Sequence, residues 1–444
     1  MRAAARAMGL AGLAVAAAGC APNIGNDPVP AAMEWDATPP RVPSPSLLLI
    51  DQATGRINFS LAGIPVPDQC AAQGQLPQAA CEFDQYLQTL NGFPTTTTAM
   101  APASAALDPA TLTLGTNVVA MAVTATGAVA PADVAVGFDA LSKFLTVAPQ
   151  PTWELGTLYW FAVRGYENGV RTTTGAQVVG SPTMSLLKQE SPLDCGLTDS
   201  QLDRSCPAYD LLLSQGLAPL DAAATLRQLE QARLAYVATG AWDVVAAAGI
   251  PKSEVAVLWG FPTHTNSVVE VNAPAPVPQI IAPNQIQVAV HGPINPATVV
   301  PFVVKQQPGT VIVMDLDAVA KGDLVNGLPT VDAQVMNGNI VITGQNPFPA
   351  NHTIGLFFTN GLHDPAGVPL VASPVSVLLT LQGSLVDANM HSVISGLSDA
   401  QAAVAEAGRQ QLEPLFDNAA LTGITGIKRD NLVYCFAFNF GGTP

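Results

Sequence analysis

The chain has 444 residues, 49% hydrophobic and 11% charged, with a formal net charge of −16. That length exceeds one ordinary core and predicts two or three domains. An acidic chain is repelled by phosphate backbones, which argues against nucleic acid as a partner. No apolar run of about 20 residues follows the N-terminus, which excludes a multi-pass membrane pattern.

In chain order, Arg2 and Arg6 come first, then a small-residue apolar stretch, 7–18, then Gly19 and Cys20. This is the layout of a secretory signal, too short to cross a bilayer as a helix. The stretch "VAAAGC" (15–20) resembles a bacterial lipobox, although Ala17 stands where Leu is favoured. The resemblance implies that residues 1–20 are a lipoprotein signal peptide and that Cys20 is lipidated. With Ala at 21, it implies an exported protein held through that lipid at the outer membrane or cell surface. The alternative is an ordinary signal-peptidase site with an incidental Cys. Residues 21–45 hold seven prolines and predict an extended tether.

The remaining cysteines are Cys70, Cys81, Cys195, Cys206 and Cys435. In an exported chain the two close pairs predict disulfides, Cys70 with Cys81 and Cys195 with Cys206. Cys435, inside "LVYCFAF", predicts a buried free thiol that packs as a small hydrophobe.

Two halves of the chain repeat one another. "LDPATL" (107–112) matches "INPATV" (294–299), and "VVGSP" (178–182) matches "LVASP" (370–374). "GLTDSQ" (196–201) matches "GLSDAQ" (396–401), each predicting a helix start in which Thr198 or Ser398 caps and Gln201 or Gln401 reaches back. "LRQLEQA" (226–232) is paired with "GRQQLEP" (408–414), and "EVAVLWGF" with "NLVYCFAF" as closing strands buried on both faces. The expected fold is mainly β with helical insertions, two tandem Ig-like β-sandwich modules. The first spans 46–271 with its helical segment at about 196–250. A Pro-rich linker follows at 272–284, then the second module, 285–444, with its helical segment at about 396–424.

The stretches "SLLLIDQATGRINFSL" (46–61) and "YLQTLNGFPTTTTAMAPASAALDPATL" (86–112) resemble the N-terminal, non-catalytic region of bacterial virulence-factor-type extracellular lipases. The turn "GLHDPAGVPL" (361–370) is similar to bacterial Ig-like domains. In those lipases a hydrolase domain with a Gly-x-Ser-x-Gly turn follows, and this sequence has no such motif. The resemblance therefore implies accessory modules without the catalytic part.

No other catalytic pattern stands out. None of the five histidines, 264, 291, 352, 363 and 391, sits in a close ligand pair, and His363 is expected in a solvated turn. "MDLDAVAKGD" (314–323) offers Asp315, Asp317 and Asp323 as a candidate Ca²⁺ set, without the Gly and Glu of an EF-hand. Otherwise no cofactor is expected. Trp153, Tyr159, Trp160 and Phe161 cluster on one strand, as core and helix contacts or as an exposed binding strip. The expectation for function is a non-enzymatic envelope lipoprotein that binds an unknown protein or envelope ligand. The alternatives are an accessory subunit of a separately encoded secreted lipase or hydrolase, and an enzyme with an unrecognised site.

Overall fold

The computed structural model describes residues 29–37, 40–51, 53–62, 66–67, 69–70, 77–196, 206–214, 216–269, 278–304 and 309–441. Cys20, the signal segment, Thr198, Gln201 and residues 272–277 of the linker lie outside them.

The protein is mainly β with helical insertions, and its two halves share the central strands of their sheets but differ at the edges. The first copy contains β1 (Ala31–Met33), β2 (Ala99–Pro102), β3 (Val118–Val123), β4 (Val129–Pro131) and β5 (Val134–Asp139). It continues with β6 (Phe144–Pro149), β7 (Leu158–Arg164), β8 (Val178–Gly180) and β9 (Val255–Pro262). One sheet runs β9-β7-β3-β4, a second runs β2-β6-β5, and β1 pairs in parallel with β8. The second copy contains β10 (Gln279–Ala282), β11 (Gln285–Val288), β12 (Val311–Asp315), β13 (Val331–Met336), β14 (Asn339–Gly344), β15 (Thr353–Thr359) and β16 (Leu432–Asn439). Its sheets run β12-β15-β16 and β10-β11-β14-β13. Thus β3-β7-β9 and β12-β15-β16 correspond, and the strand after each helical insertion returns to pair antiparallel with the central one.

Each copy has a core between its two sheets. In the first, Ala101, Leu145 and Val147 of one sheet meet Val118, Tyr159 and Phe161 of the other. In the second, Ile286, Ile340 and Ile342 meet Val313, Leu356 and Tyr434. The period-2 alternation of a strand sends the intervening residues to the opposite face, and there the helices cover them.

The helices are α1 (Gln78–Gln88), α2 (Pro182–Leu187), α3 (Pro207–Ser214), α4 (Pro219–Ala238) and α5 (Ala241–Ala247) in the first copy. The second has α6 (Leu316–Ala320), α7 (Pro374–Thr380), α8 (Asp399–Phe416) and α9 (Ala419–Thr425), besides the single helical turn Leu324–Gly327. Trp160 meets Tyr236 of α4 edge to face at 5.3 Å, and the Tyr236 hydroxyl donates to the Leu258 carbonyl at 2.7 Å. On the other face Trp153, Tyr159, Phe161 and Phe261 pack together. All four aromatics named from the sequence are buried, so they form core and helix contacts and no exposed strip. In the second copy Phe357 and Cys435 meet Leu412 of α8 and Leu421 of α9 in the same layer.

The repeated phrases have matching geometry. Asp108 and Asn295 each accept the N–H two residues on, from Ala110 and Ala297, at 3.0 Å. Their own N–H groups donate at 2.9 Å to the Arg171 and His363 carbonyls, so His363 occupies the place of Arg171. Ser181 and Ser373 cap α2 and α7, each with Pro at the first helical position, where the missing N–H costs nothing. Ser398 and Gln401 form the expected capping box at α8.

Three expectations change. Residues 31–45 do not form a free tether: β1 joins β8, and Met33 and Trp35 are buried in the first core. The segment stays extended, but its apolar anchors dock it on the first core. The end of the stretch 272–284 is a strand, β10, hydrogen-bonded to β11. The helical match also moves: α4 starts after Ala218, and its counterpart to Glu406-x-x-Arg409 is Glu230-x-x-Arg233. In both, the Glu carboxylate accepts a backbone N–H from the preceding loop, Leu193 at 2.8 Å or Leu385 at 3.0 Å. In both, the Arg donates to both oxygens, at 2.6 and 2.8 Å in the first copy and twice at 2.9 Å in the second. The shared string "RQ…LE" instead pairs Arg227 with Arg409, six residues away from this match.

The two copies are joined by more than the chain. Ala79 of α1 packs in one apolar cluster with Val377, Leu378, Leu381, Leu385 and Ile394 of the second copy. Tyr86 donates its hydroxyl to the Ala372 carbonyl at 2.7 Å. Near the linker, Val268–Val269 pairs antiparallel with Val290–His291. The Ser267 hydroxyl donates to the Pro293 carbonyl at 2.7 Å.

Candidate metal centre

The acidic stretch 314–323 covers the end of β12, the short helix α6 and the turn after it. An Asp at the end of a strand is well suited to start a helix, because its carboxylate satisfies a free N–H of the first turn. Asp315 does this, accepting the Ala318 N–H at 3.1 Å, and Asp323 does the same for Asn326 at 3.1 Å in the next short turn. Both roles are structural.

Asp315 has a second partner. β12 and β15 pair so that Asp315 lies opposite Ile354, which brings the residues just before β15 beside it. The second carboxylate oxygen of Asp315 is 2.7 Å from His352 Nδ1, and Asp317 Oδ2 accepts the Thr353 N–H at 2.6 Å. One donor atom each from Asp315, Asp317 and His352 lies within 4.8 Å of the others, the one such set of three among the described residues. Asp323 is not in it; its carboxylate instead holds both the N–H and side-chain amide of Asn326. The sequence therefore found two of the three residues and missed His352. The signal was slight: a His at the head of an apolar strand, whose register against β12 the sequence does not disclose.

The other singled-out residues have structural partners. Cys70–Cys81 and Cys195–Cys206 are disulfides, and Cys435 is a buried free thiol. Burial pushes the Cys435 thiol up to about 12, so it stays protonated and unreactive at neutral pH. His363 is half-buried in its turn, its Nδ1 2.7 Å from the Gly361 carbonyl. His391 pairs with Asp399 at 3.0 Å on the surface, and that hydrogen bond and charge raise the imidazole's affinity for its proton. The neighbouring Ser392 hydroxyl turns away to the Ile394 carbonyl, so no Ser–His–Asp relay forms there.

No family model and no curated protein matches the chain. Among solved structures, the chain is similar to the N-terminal part of the bacterial S-layer protein SbsC at 16% identity and a TM-score of 0.18, over 42% of this chain and 35% of that one. It is similar to the S-layer protein rSbsC(31-844) at the same identity and TM-score, over 42% of this chain and 20% of that one. The chain thus spans about a third and a fifth of those two structures, and likeness at that TM-score carries no inference about fold or function.

Proposed function

We propose that the protein is an exported cell-envelope lipoprotein with a non-enzymatic binding or structural role, built from two β-sandwich modules of Ig-like type. The observation that carries this reading is the pair of disulfides, one in α1 and its preceding loop and one ahead of α3. Such bonds persist in oxidising compartments and are rare in a reducing cytosol. The signal-like N-terminus and Cys20 give the means of export and anchoring. Two β-rich bodies packed against each other through α1 suit binding or scaffolding at an envelope. Among the described residues, no helix is long and apolar enough to cross a membrane, and on this reading the lipid on Cys20 makes the attachment.

The test is fractionation of cells that express the wild-type chain or Cys20→Ala. Wild-type protein partitions with membranes and Cys20→Ala moves to the soluble fraction. Identical partition of the two removes the lipid anchor. A hydrolase recovered with the wild-type protein from envelope extract, and lost with a scrambled control, would shift the reading to an accessory subunit.

A further inference from the structure

We propose that Asp315, Asp317 and His352 bind a first-row divalent transition cation, of which Zn²⁺ and Mn²⁺ are the type, and not Ca²⁺. The three donors come from two separate segments, the end of β12 with the first turn of α6 and the residue before β15, and they converge within 4.8 Å. Ca²⁺ takes six to eight oxygen ligands. An imidazole with carboxylates suits the borderline first-row ions, which accept nitrogen and oxygen together.

The first copy shows that the fold does not need this trio. There β3 ends at Val123 and the residue before β7 is Thr157, and the positions that match Asp315, Asp317 and His352 by register, Ala122, Thr124 and Thr157, carry neither a carboxylate nor an imidazole. The three residues are thus an addition to the second copy. Their charge also fits: two carboxylates and a neutral imidazole balance a doubly charged ion. The Asp315 side chain is 4% exposed and that of His352 35%. An ion would be held from the protein side by Asp315 and open to solvent on the His352 side, where water would complete its shell. The Ala318 and Thr353 N–H groups fix one oxygen of each Asp, the kind of outer support that orients metal ligands. The ion takes the place of the hydrogen between Asp315 Oδ2 and His352 Nδ1, now 2.7 Å apart.

The experiment is isothermal titration of the full chain, stripped by chelator, with ZnCl₂, MnCl₂ and CaCl₂. The variants are Asp317→Asn, which keeps a carbonyl oxygen for the Thr353 N–H, and His352→Gln. Metal-free thermal midpoints close to wild type establish that both variants fold. The expected result is saturable binding of Zn²⁺ or Mn²⁺ near one ion per chain, weakened at least tenfold by either substitution, with weaker binding of Ca²⁺. No binding of either transition ion, equal binding by all three proteins, or a preference for Ca²⁺ would each overturn the assignment.

Discussion

The carboxylate of Glu82, on α1 of the first copy, accepts the backbone N–H of Gln382 in the second at 2.8 Å, across 300 positions of sequence. The next residue, Gly383, lies so close to α1 that a Cβ placed on it would sit 2.4 Å from the Ala79 backbone nitrogen. Its backbone is not in the left-handed region, so its lack of a side chain serves the contact and not the turn. The two bodies are pressed together through this helix.

Gly383→Ala should therefore part the copies without straining its own loop. The expected outcome is loss of about 1–3 kcal/mol, the usual cost of overpacking, with faster amide exchange in 78–88. Hydrogen–deuterium exchange reads this directly; unchanged protection of α1 would mean the junction yields at no cost.

The Cys70–Cys81 disulfide ties α1 to the loop before it. Closing a loop of this size is worth about 3 kcal/mol in the chain-entropy model. Replacing both cysteines by Ser should lower the denaturant midpoint and loosen α1. The Cys195→Ser/Cys206→Ser pair should leave exchange in α1 as it was. Equal loosening by both pairs would mean that α1 is not the element the first bond stabilises.

The Glu406–Arg409 pair is buried, at 6% exposure for each residue. Burial opposes the Glu406 charge, but bonds from Arg409, the Leu385 N–H and Gln410 outweigh it and lower the carboxyl to about 2. A depressed acid stabilises the fold fully above its ordinary value near 4.5, and that contribution is lost as pH falls towards 2. Arg409→Met, which leaves Glu406 buried without its partner, should cost about 3–5 kcal/mol at neutral pH. The cost should shrink when urea unfolding is repeated near pH 3. A cost independent of pH would show that packing, not charge, sets it.

Asp84, on α1, has the opposite sign. Burial raises its carboxyl to about 6, so its ionisation opposes folding as pH rises from about 4 through 6. Asp84→Asn should raise the thermal midpoint at pH 7.5, and the gain should vanish near pH 3.5. A gain of equal size at both values would assign the effect to something other than charge.

Much of the architecture could be read from residues. The phrases at 107–112 and 294–299 became turns with the same hydrogen bonds, and the two closing strands sit where their unbroken apolar runs require. The paired disulfides followed from spacing and the oxidising context. What could not be read were relationships set by register and close approach. The string shared by the two helices misled the match: it pairs Arg227 with Arg409, six residues from the Arg233 that makes the corresponding ion pair, and only the contacts with the preceding loops fix that register. His352 reaches Asp315 only through the pairing of β12 with β15. Met33 and Trp35 were hidden by the prolines around them, although burying two such side chains is enough to dock a short extended segment.

The most direct test of the functional account is intact-mass and peptide mass spectrometry of the protein extracted from its native cells. The account predicts a mature chain that begins at Cys20 and carries added acyl mass, with Cys70–Cys81 and Cys195–Cys206 joined and Cys435 free. A chain that retains residues 1–19, or one whose four paired cysteines are recovered as thiols, would contradict it.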